Sequence, residues 1–309
     1  MSRSPANLFD VNGRTVFITG AARGIGAAAA ERLHAKGANV ALVGLEPELL
    51  EQNAARLGER ALHFEADVTD FDALQRAVAH TVESFGGIDV AIANAGLSFT
   101  GTLATSPIEQ VERTLEVNLL GVWRTDRAVI EQITERRGYL LNIASLSAVT
   151  HTALMGPYTT AKSGVEALSD ALRMESAPSG ARVGCAYFGF IDTDLTRAAY
   201  AQPSSGLLNQ QTPAFVRNPA PLSRAIDAIE RGIERRSARV WAPRWIGAAI
   251  TLRGVIQPLL ERRLERNSAA LVEAMHMADP TSGGVAERDL QLGVAAQALT
   301  PPARTPISR

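Results

Sequence analysis

Residues 19–26 read "TGAARGIG", and their setting decides the fold. The β-branched run "RTVFITG" (14–20) leads into them, and the helical run "AAAAERLHAKGA" (27–38) follows, closing on Gly37 as a C-cap. A glycine turn between a strand and a helix is where a dinucleotide fingerprint must fall. Gly20 permits the tight turn, Gly24 lets backbone approach a pyrophosphate, and Gly26 allows close packing of helix on strand. The helix N-terminus then offers free N–H groups and a positive dipole end.

Outward from this turn the pattern repeats. Strand-like segments at 39–44, 61–68, 88–96, 138–145, 182–189 and 238–243 are short and nearly continuously apolar. Helical patterns at 47–58, 70–85, 108–137, 157–176 and 222–236 separate them. Buried strands alternating with helices predict a doubly wound, Rossmann-type α/β domain with a parallel sheet covered on both faces. We place this catalytic domain at residues 1–245, with a substrate loop at about 192–220 rich in Pro, Gln and Ser. Residues 246–309 form a helical C-terminal extension and a loosely held tail, with Pro258 as the expected break in the helix at 245–276. That helix mixes apolar residues with Arg253, Arg262 and Arg263, so it packs on the domain, on a second subunit or against a membrane surface.

The bulk properties exclude several classes. Lys+Arg is 31 against Asp+Glu 32, a net charge of -1, which gives no field to attract nucleic acid. The single cysteine, Cys185, rules out an internal disulfide or a cysteine zinc cluster. The five histidines show no ligand spacing, so no metal is expected. No signal-peptide core and no run near the ~20 apolar residues of a spanning helix is present, so a cytoplasmic location is expected.

A second stretch, "GPYTTAKSG" (156–164), sets Tyr158 and Lys162 four apart on a helix face. A phenol has a pKa near 10, and a neighbouring cation favours its phenolate, so a lysine beside it would make it usable in acid–base chemistry. Tyr158 would exchange a proton with a substrate oxygen, and Ser145 would hydrogen-bond and orient that oxygen.

Taken together, these motifs resemble the classical short-chain dehydrogenase/reductase family. The glycine turn is followed in order by "ADV" (66–68), "ANAG" (93–96), Asn118 in "EVNLLG", "NIAS" (142–145), the Tyr158–Lys162 pair and "FGFIDTDL" (188–195). The resemblance covers roughly 12–195. It implies an NAD(P)-dependent oxidoreductase interconverting a secondary alcohol and a ketone or aldehyde by hydride transfer. It implies a catalytic set of Asn118, Ser145, Tyr158 and Lys162, with Lys162 on the nicotinamide ribose and Asn118 anchoring a relay water. It also implies cofactor contacts at Gly20, Arg23, Gly24, Ile25, Gly26, Gly44, Leu45, Glu46, Asp67, Val68, Asn94, Ala95, Gly96, Gly189, Ile191 and Thr193. Assembly as a homodimer or homotetramer is a further implication.

Two departures stand out. Phe188 replaces the family's usual proline before Gly189, and Ala93 its usual first asparagine. At the end of the second strand, "LVGLEPE", Gly44 and Leu45 stand where relatives often carry Asp for NAD or Arg for NADP. Arg23 suits a 2′-phosphate while Glu46 suits a 2′-OH, and the balance leans to NADP. Leu146, Leu154, Met155, Phe188, Phe190 and Leu195 point to an apolar substrate. The competing readings are a catalytically silent nucleotide-binding regulator and an epimerase or dehydratase on the same fold.

Overall fold

The computed structural model describes residues 8–202, 204 and 214–279. Seven parallel strands stand in the order β3-β2-β1-β4-β5-β6-β7. They are β1 (Thr15–Thr19), β2 (Asn39–Gly44), β3 (Ala61–Glu65), β4 (Val90–Ala93), β5 (Tyr139–Ile143), β6 (Arg182–Phe188) and β7 (Arg239–Ala242). The helices between them are α1 (Gly24–Ala35), α2 (Pro47–Leu57), α3 (Phe71–Phe85), α4 (Ile108–Leu115), α5 (Gly121–Glu135), α6 (Gly156–Ser176), α7 (Asp194–Ala201), α8 (Ala214–Arg217) and α9 (Leu222–Arg235). After β7 come α10 (Ile246–Arg266) and α11 (Ser268–Ala278). The expected doubly wound sheet is therefore present, and strand order reverses between β1 and β4.

The period-2 pattern of the strands sorts the core into two layers. Val16 and Ile18 of β1 point to one face, where they meet Ala29, Ala30 and Leu33 of α1 and Ile229 and Ile233 of α9. Phe17 points to the other, against Ala77 of α3 and Val129 and Ile133 of α5. Each fully buried side chain of this size contributes roughly 1.5–3 kcal/mol. A third cluster lies beyond the strand ends, where Ala148, Val149 and Tyr187 pack on Ile246 and Ile250 of α10. The start of the C-terminal extension is thus part of the core.

Several boundaries differ from the sequence reading. Gly37 lies past the cap of α1, at Lys36, and takes the left-handed conformation (φ +93°). The helix expected over 108–137 is interrupted by a π-turn at Glu116–Leu120, which carries the fully buried Asn118. Such a turn inserts one extra residue and re-aims a side chain, here toward the end of β4. Pro258 does not end α10. It stands inside the helix, and the one non-helical residue is Leu252 (φ -102°, ψ 15°), six positions upstream. Within the expected loop at 192–220, α7 and α8 are formed, while residues 203 and 205–213 lie outside the described residues, as does the tail from 280. No helix among the described residues is long and apolar enough to cross a membrane.

Candidate active site

The site forms at the carboxyl ends of the strands, at the β1/β4 reversal, where open α/β sheets bind ligands. The glycines are dictated by space as well as by backbone angle. A Cβ on Gly26 would stand 2.3 Å from the Gly20 carbonyl oxygen, and one on Gly20 would stand 2.8 Å from Ala95 Cα. Gly20 and Gly24 both take positive φ, +65° and +59°. Arg23 caps α1 without a side-chain bond, so the first-turn N–H groups face outward at Gly24 and Ile25. This turn, with no side chain at Gly20, Gly24 or Gly26 and set on a helix N-terminus, fits a pyrophosphate.

What holds the turn was only half visible in the sequence. Asn94 Nδ2 donates to both the Thr19 and the Gly20 carbonyls at 3.0 Å. The backbone N–H groups of Asn94 and Ala95 donate to Thr19 Oγ1 at 3.1 and 3.3 Å. Thr19, which sequence reading did not single out, therefore ties β1 to β4 across the reversal. Its place as the residue leading into Gly20 was the available signal.

Asp67 is held on two sides. It accepts from Thr69 N at 2.8 Å and from the Arg113 guanidinium at 3.2 Å. Val68 is buried against Leu74 and Val117, and a Cβ on Gly121 would collide with it. Gly44 has room to spare, with nothing nearer than 3.7 Å to an added Cβ, and Leu45 is partly exposed beside it. Arg23 and Glu46 form one bidentate ion pair, with Nε to Oε2 at 3.1 Å. The two conflicting cofactor cues are thus a single structural element.

The catalytic candidates converge. Ser145 lies two residues past β5 and caps a short 3-10 turn, Leu146–Ala148, by accepting from Ser147 N at 3.1 Å. Its hydroxyl donates to the Phe188 carbonyl at 3.5 Å and lies near enough to the Tyr158 phenol to favour its ionised form. Tyr158 lies in the first turn of α6, which Pro157 preorganises. One helical turn on, Lys162 is buried and donates from Nζ to the Ile143 carbonyl at 2.8 Å, with Nζ 5.8 Å from the Tyr158 ring centre. Asn118 Nδ2 donates to Leu97 O at 2.8 Å while its Oδ1 accepts from Leu97 N at 2.9 Å. Gly96 is pressed against that amide, since a Cβ there would sit 2.8 Å from Asn118 Oδ1.

The expected lowering of the phenol by Lys162 is not what the chain's own groups produce. Burial pushes Tyr158 above its ordinary value, and the Ser145 hydroxyl only partly offsets it. Burial also brings Lys162 down to about 8, with Cys185 acting in the opposite direction. Desolvation outweighs the attraction expected from the four-residue spacing.

The segment after β6 completes the site. Gly189 N donates to Ala242 O at 3.0 Å, and a Cβ on Gly189 would press Ile246 of α10. Ile191 is buried and pairs with Ala220. Thr193 caps α7, accepting from Thr196 N at 3.3 Å, and its methyl lies 3.8 Å from where a Gly24 Cβ would stand. Tyr158 and Ser145 open onto a cleft whose walls include Leu146, Met155, Phe188, Phe190 and Leu195. Leu154 does not line it; it is buried behind, in the left-handed region at φ +64°. No charged side chain lines the cleft among the described residues.

The comparisons agree with this architecture. The family model for short chain dehydrogenase matches residues 14–204. A 2-(R)-hydroxypropyl-CoM dehydrogenase of Xanthobacter autotrophicus is 35% identical over 198 residues, 62% of this chain and 79% of that one. A 3-alpha-(or 20-beta)-hydroxysteroid dehydrogenase of Mycobacterium tuberculosis is 34% identical over 185 residues, 60% and 71% of the two chains. A crystal structure from Agrobacterium tumefaciens, provisionally assigned as a gluconate dehydrogenase, aligns with TM-score 0.69 at 25% identity. It is covered over 98% of its length but covers only 78% of this chain. With a glycine turn seated at the strand reversal and the matched family spanning it, this chain belongs to the short-chain dehydrogenase family, as an oxidoreductase acting on CH–OH groups with NAD(P).

Proposed function

We propose that the chain interconverts an uncharged, apolar secondary alcohol and its ketone or aldehyde, with Tyr158 as the proton-transferring group. The observation that carries this reading is the meeting of the Ser145 and Tyr158 hydroxyls at the mouth of a cleft lined by Leu146, Met155, Phe188 and Phe190. Relatives bear names ranging from a hydroxysteroid to a gluconate dehydrogenase. A carboxylate or sulfonate substrate would need a cationic partner, and the described cleft wall carries none. A neutral substrate needs only the two hydroxyls for orientation.

When bound, the nicotinamide supplies the hydride chemistry. Ser145 orients the substrate oxygen. Tyr158, held protonated by burial, gives its proton to a carbonyl oxygen in reduction; in oxidation it acts as the phenolate and takes the alcohol's proton back. Lys162 spends one of its three N–H donors on Ile143, leaving two for ribose hydroxyls. The Asn118 amide spends one donor and one lone pair on Leu97, leaving one of each for a relay water beside Lys162. Gly20, Gly24, Ile25 and Gly26 would seat the pyrophosphate. Asp67 and Val68 would hold the adenine, Gly44 and Leu45 the ribose, and Asn94, Ala95 and Gly96 would back the dinucleotide. Gly189, Ile191 and Thr193 would meet the nicotinamide amide.

The Arg23–Glu46 pair shifts the cofactor balance toward NAD. A neutral 2′-OH can bond beside a closed pair, whereas a 2′-phosphate must displace one carboxylate and sit near it.

The test is absorbance of the reduced nicotinamide across a panel of neutral and carboxylated alcohols and ketones. Turnover should concentrate on neutral apolar members. Tyr158→Phe should lose about 10²–10⁴ in kcat yet keep its cofactor dissociation constant. Full activity in that variant would overturn the mechanism, and cofactor binding with no turnover on any substrate would favour a silent nucleotide-binding regulator.

A further inference from the structure

The segment joining Ser145 to Tyr158 carries both hydroxyls and is held from a distant part of the chain. His151, at its outermost point, has its backbone N–H and C=O both engaged by one side chain, Gln257 of α10. His151 N donates to Gln257 Oε1 at 2.8 Å, and Gln257 Nε2 donates to His151 O at 3.2 Å. The amide mimics a neighbouring strand over one residue. Its orientation is fixed independently, because Nε2 also donates to Glu261 Oε1 at 2.9 Å.

The inner side of the same segment rests on the first half of α10. Ala148 and Val149 share a buried cluster with Ile246 and Ile250. The kink at Leu252 lies between these apolar contacts and the Gln257 contact. A further tie, Arg253 to Glu166 at 2.8 Å, fastens the helix to α6, which bears Tyr158. At the segment's other end, Leu154 keeps a left-handed backbone (φ +64°) with its carbonyl accepting from Gly101 N at 2.8 Å. A leucine in that conformation is strained and persists only where its surroundings over-determine it. The Gln257 contact lies three residues away, on the side that the Gly101 bond does not reach.

We infer that Gln257 is a positioning residue of the reaction: through His151 it fixes the 146–155 segment and with it the approach of Ser145 to Tyr158. The family match ends at residue 204, so this is a device of the chain's own C-terminal extension. Its kinetic consequence rests on the chemistry proposed above for Ser145 and Tyr158; its structural consequence does not.

The test therefore has two arms on the full-length chain. In Gln257→Ala, amide hydrogen exchange should quicken within 146–155 and stay unchanged in β5 and in the body of α6. With an alcohol that the unaltered enzyme oxidises, kcat/KM should fall about tenfold, since small misplacements of reacting groups carry losses of this order and more. The dissociation constant for NAD should not move. Gln257→Glu combined with Glu261→Gln keeps an acceptor for the His151 N–H and should recover part of the loss. Unchanged exchange over 146–155 overturns the inference whether or not a substrate has been found. So does exchange that quickens evenly along the chain, or a fall in NAD affinity matching the fall in kcat/KM. Quickened exchange confined to 146–155 with no turnover in any variant leaves the clamp standing and removes the proposed reaction.

Discussion

The glycine turn at 19–26 and the segment at 146–155 both shape the site, but they are held in opposite ways. The turn is held by exclusion, since added Cβ atoms on Gly20 and Gly26 would meet backbone at 2.8 and 2.3 Å. Its polar ties, from Asn94 to Thr19 and Gly20, join adjacent strands. The 146–155 segment is held by attachment. A leucine tolerates positive φ there, and a side chain 106 positions further along takes both backbone groups of His151. A site made by exclusion leaves a motif, because only one residue type fits. A site made by attachment leaves none.

The largest test of this contrast is Gly26→Ala. Its Cβ would meet a carbonyl that cannot move without breaking the turn. Overpacking of this kind costs about 1–3 kcal/mol, and we expect NAD affinity to fall about 10- to 100-fold by titration. Gly44→Ala, in the same neighbourhood but with 3.7 Å of clearance, should leave the melting temperature unchanged, whereas Gly26→Ala should lower it. If both substitutions behaved alike, exclusion would not be what holds the turn.

A pH profile separates the roles of the two titrating groups. In the proposed reaction, reduction needs the Tyr158 phenol protonated, and its raised value keeps it so. Lys162 loses its charge as pH rises through about 8. Reductive kcat/KM should thus be level below about pH 8 and fall above it. Lys162→Arg keeps the charge at high pH and should flatten the fall from a lower plateau. An unaltered fall in that variant would assign the titration elsewhere.

The smallest expected effect lies at the rim of the turn. Glu46→Gln frees Arg23 and removes a repelling charge from the 2′ position. The ratio of NADP to NAD efficiency should rise about tenfold, on the order of 1.4 kcal/mol. A ratio that stays fixed would show the pair to be a surface contact only.

Legibility in the sequence followed the same divide. The sheet could be read because its strands are short apolar runs whose alternate residues face the two layers, as Val16, Phe17 and Ile18 do. The glycines and the Tyr158–Lys162 pair could be read because their spacing is fixed by one turn of backbone. The π-turn at Asn118 was not legible, since it depends on a bond to Leu97 across 21 positions. The direction of the Tyr158 shift was also hidden, because spacing reports the nearby cation and says nothing of the burial that outweighs it. The Arg23–Glu46 pairing was not legible because it joins side chains 23 positions apart, in the loops after two different strands.

The contact between Gln257 and His151 also orders events in time. Synthesis runs from the N-terminus at roughly 5–20 residues per second, so the 106 positions between them correspond to roughly 5–20 s. When that interval opens, β1 to β5 and the glycine turn are already made, while the segment following Ser145 still lacks its outer tie. The glycine turn proposed to seat the pyrophosphate is therefore made before the region proposed to transfer the proton has been finished.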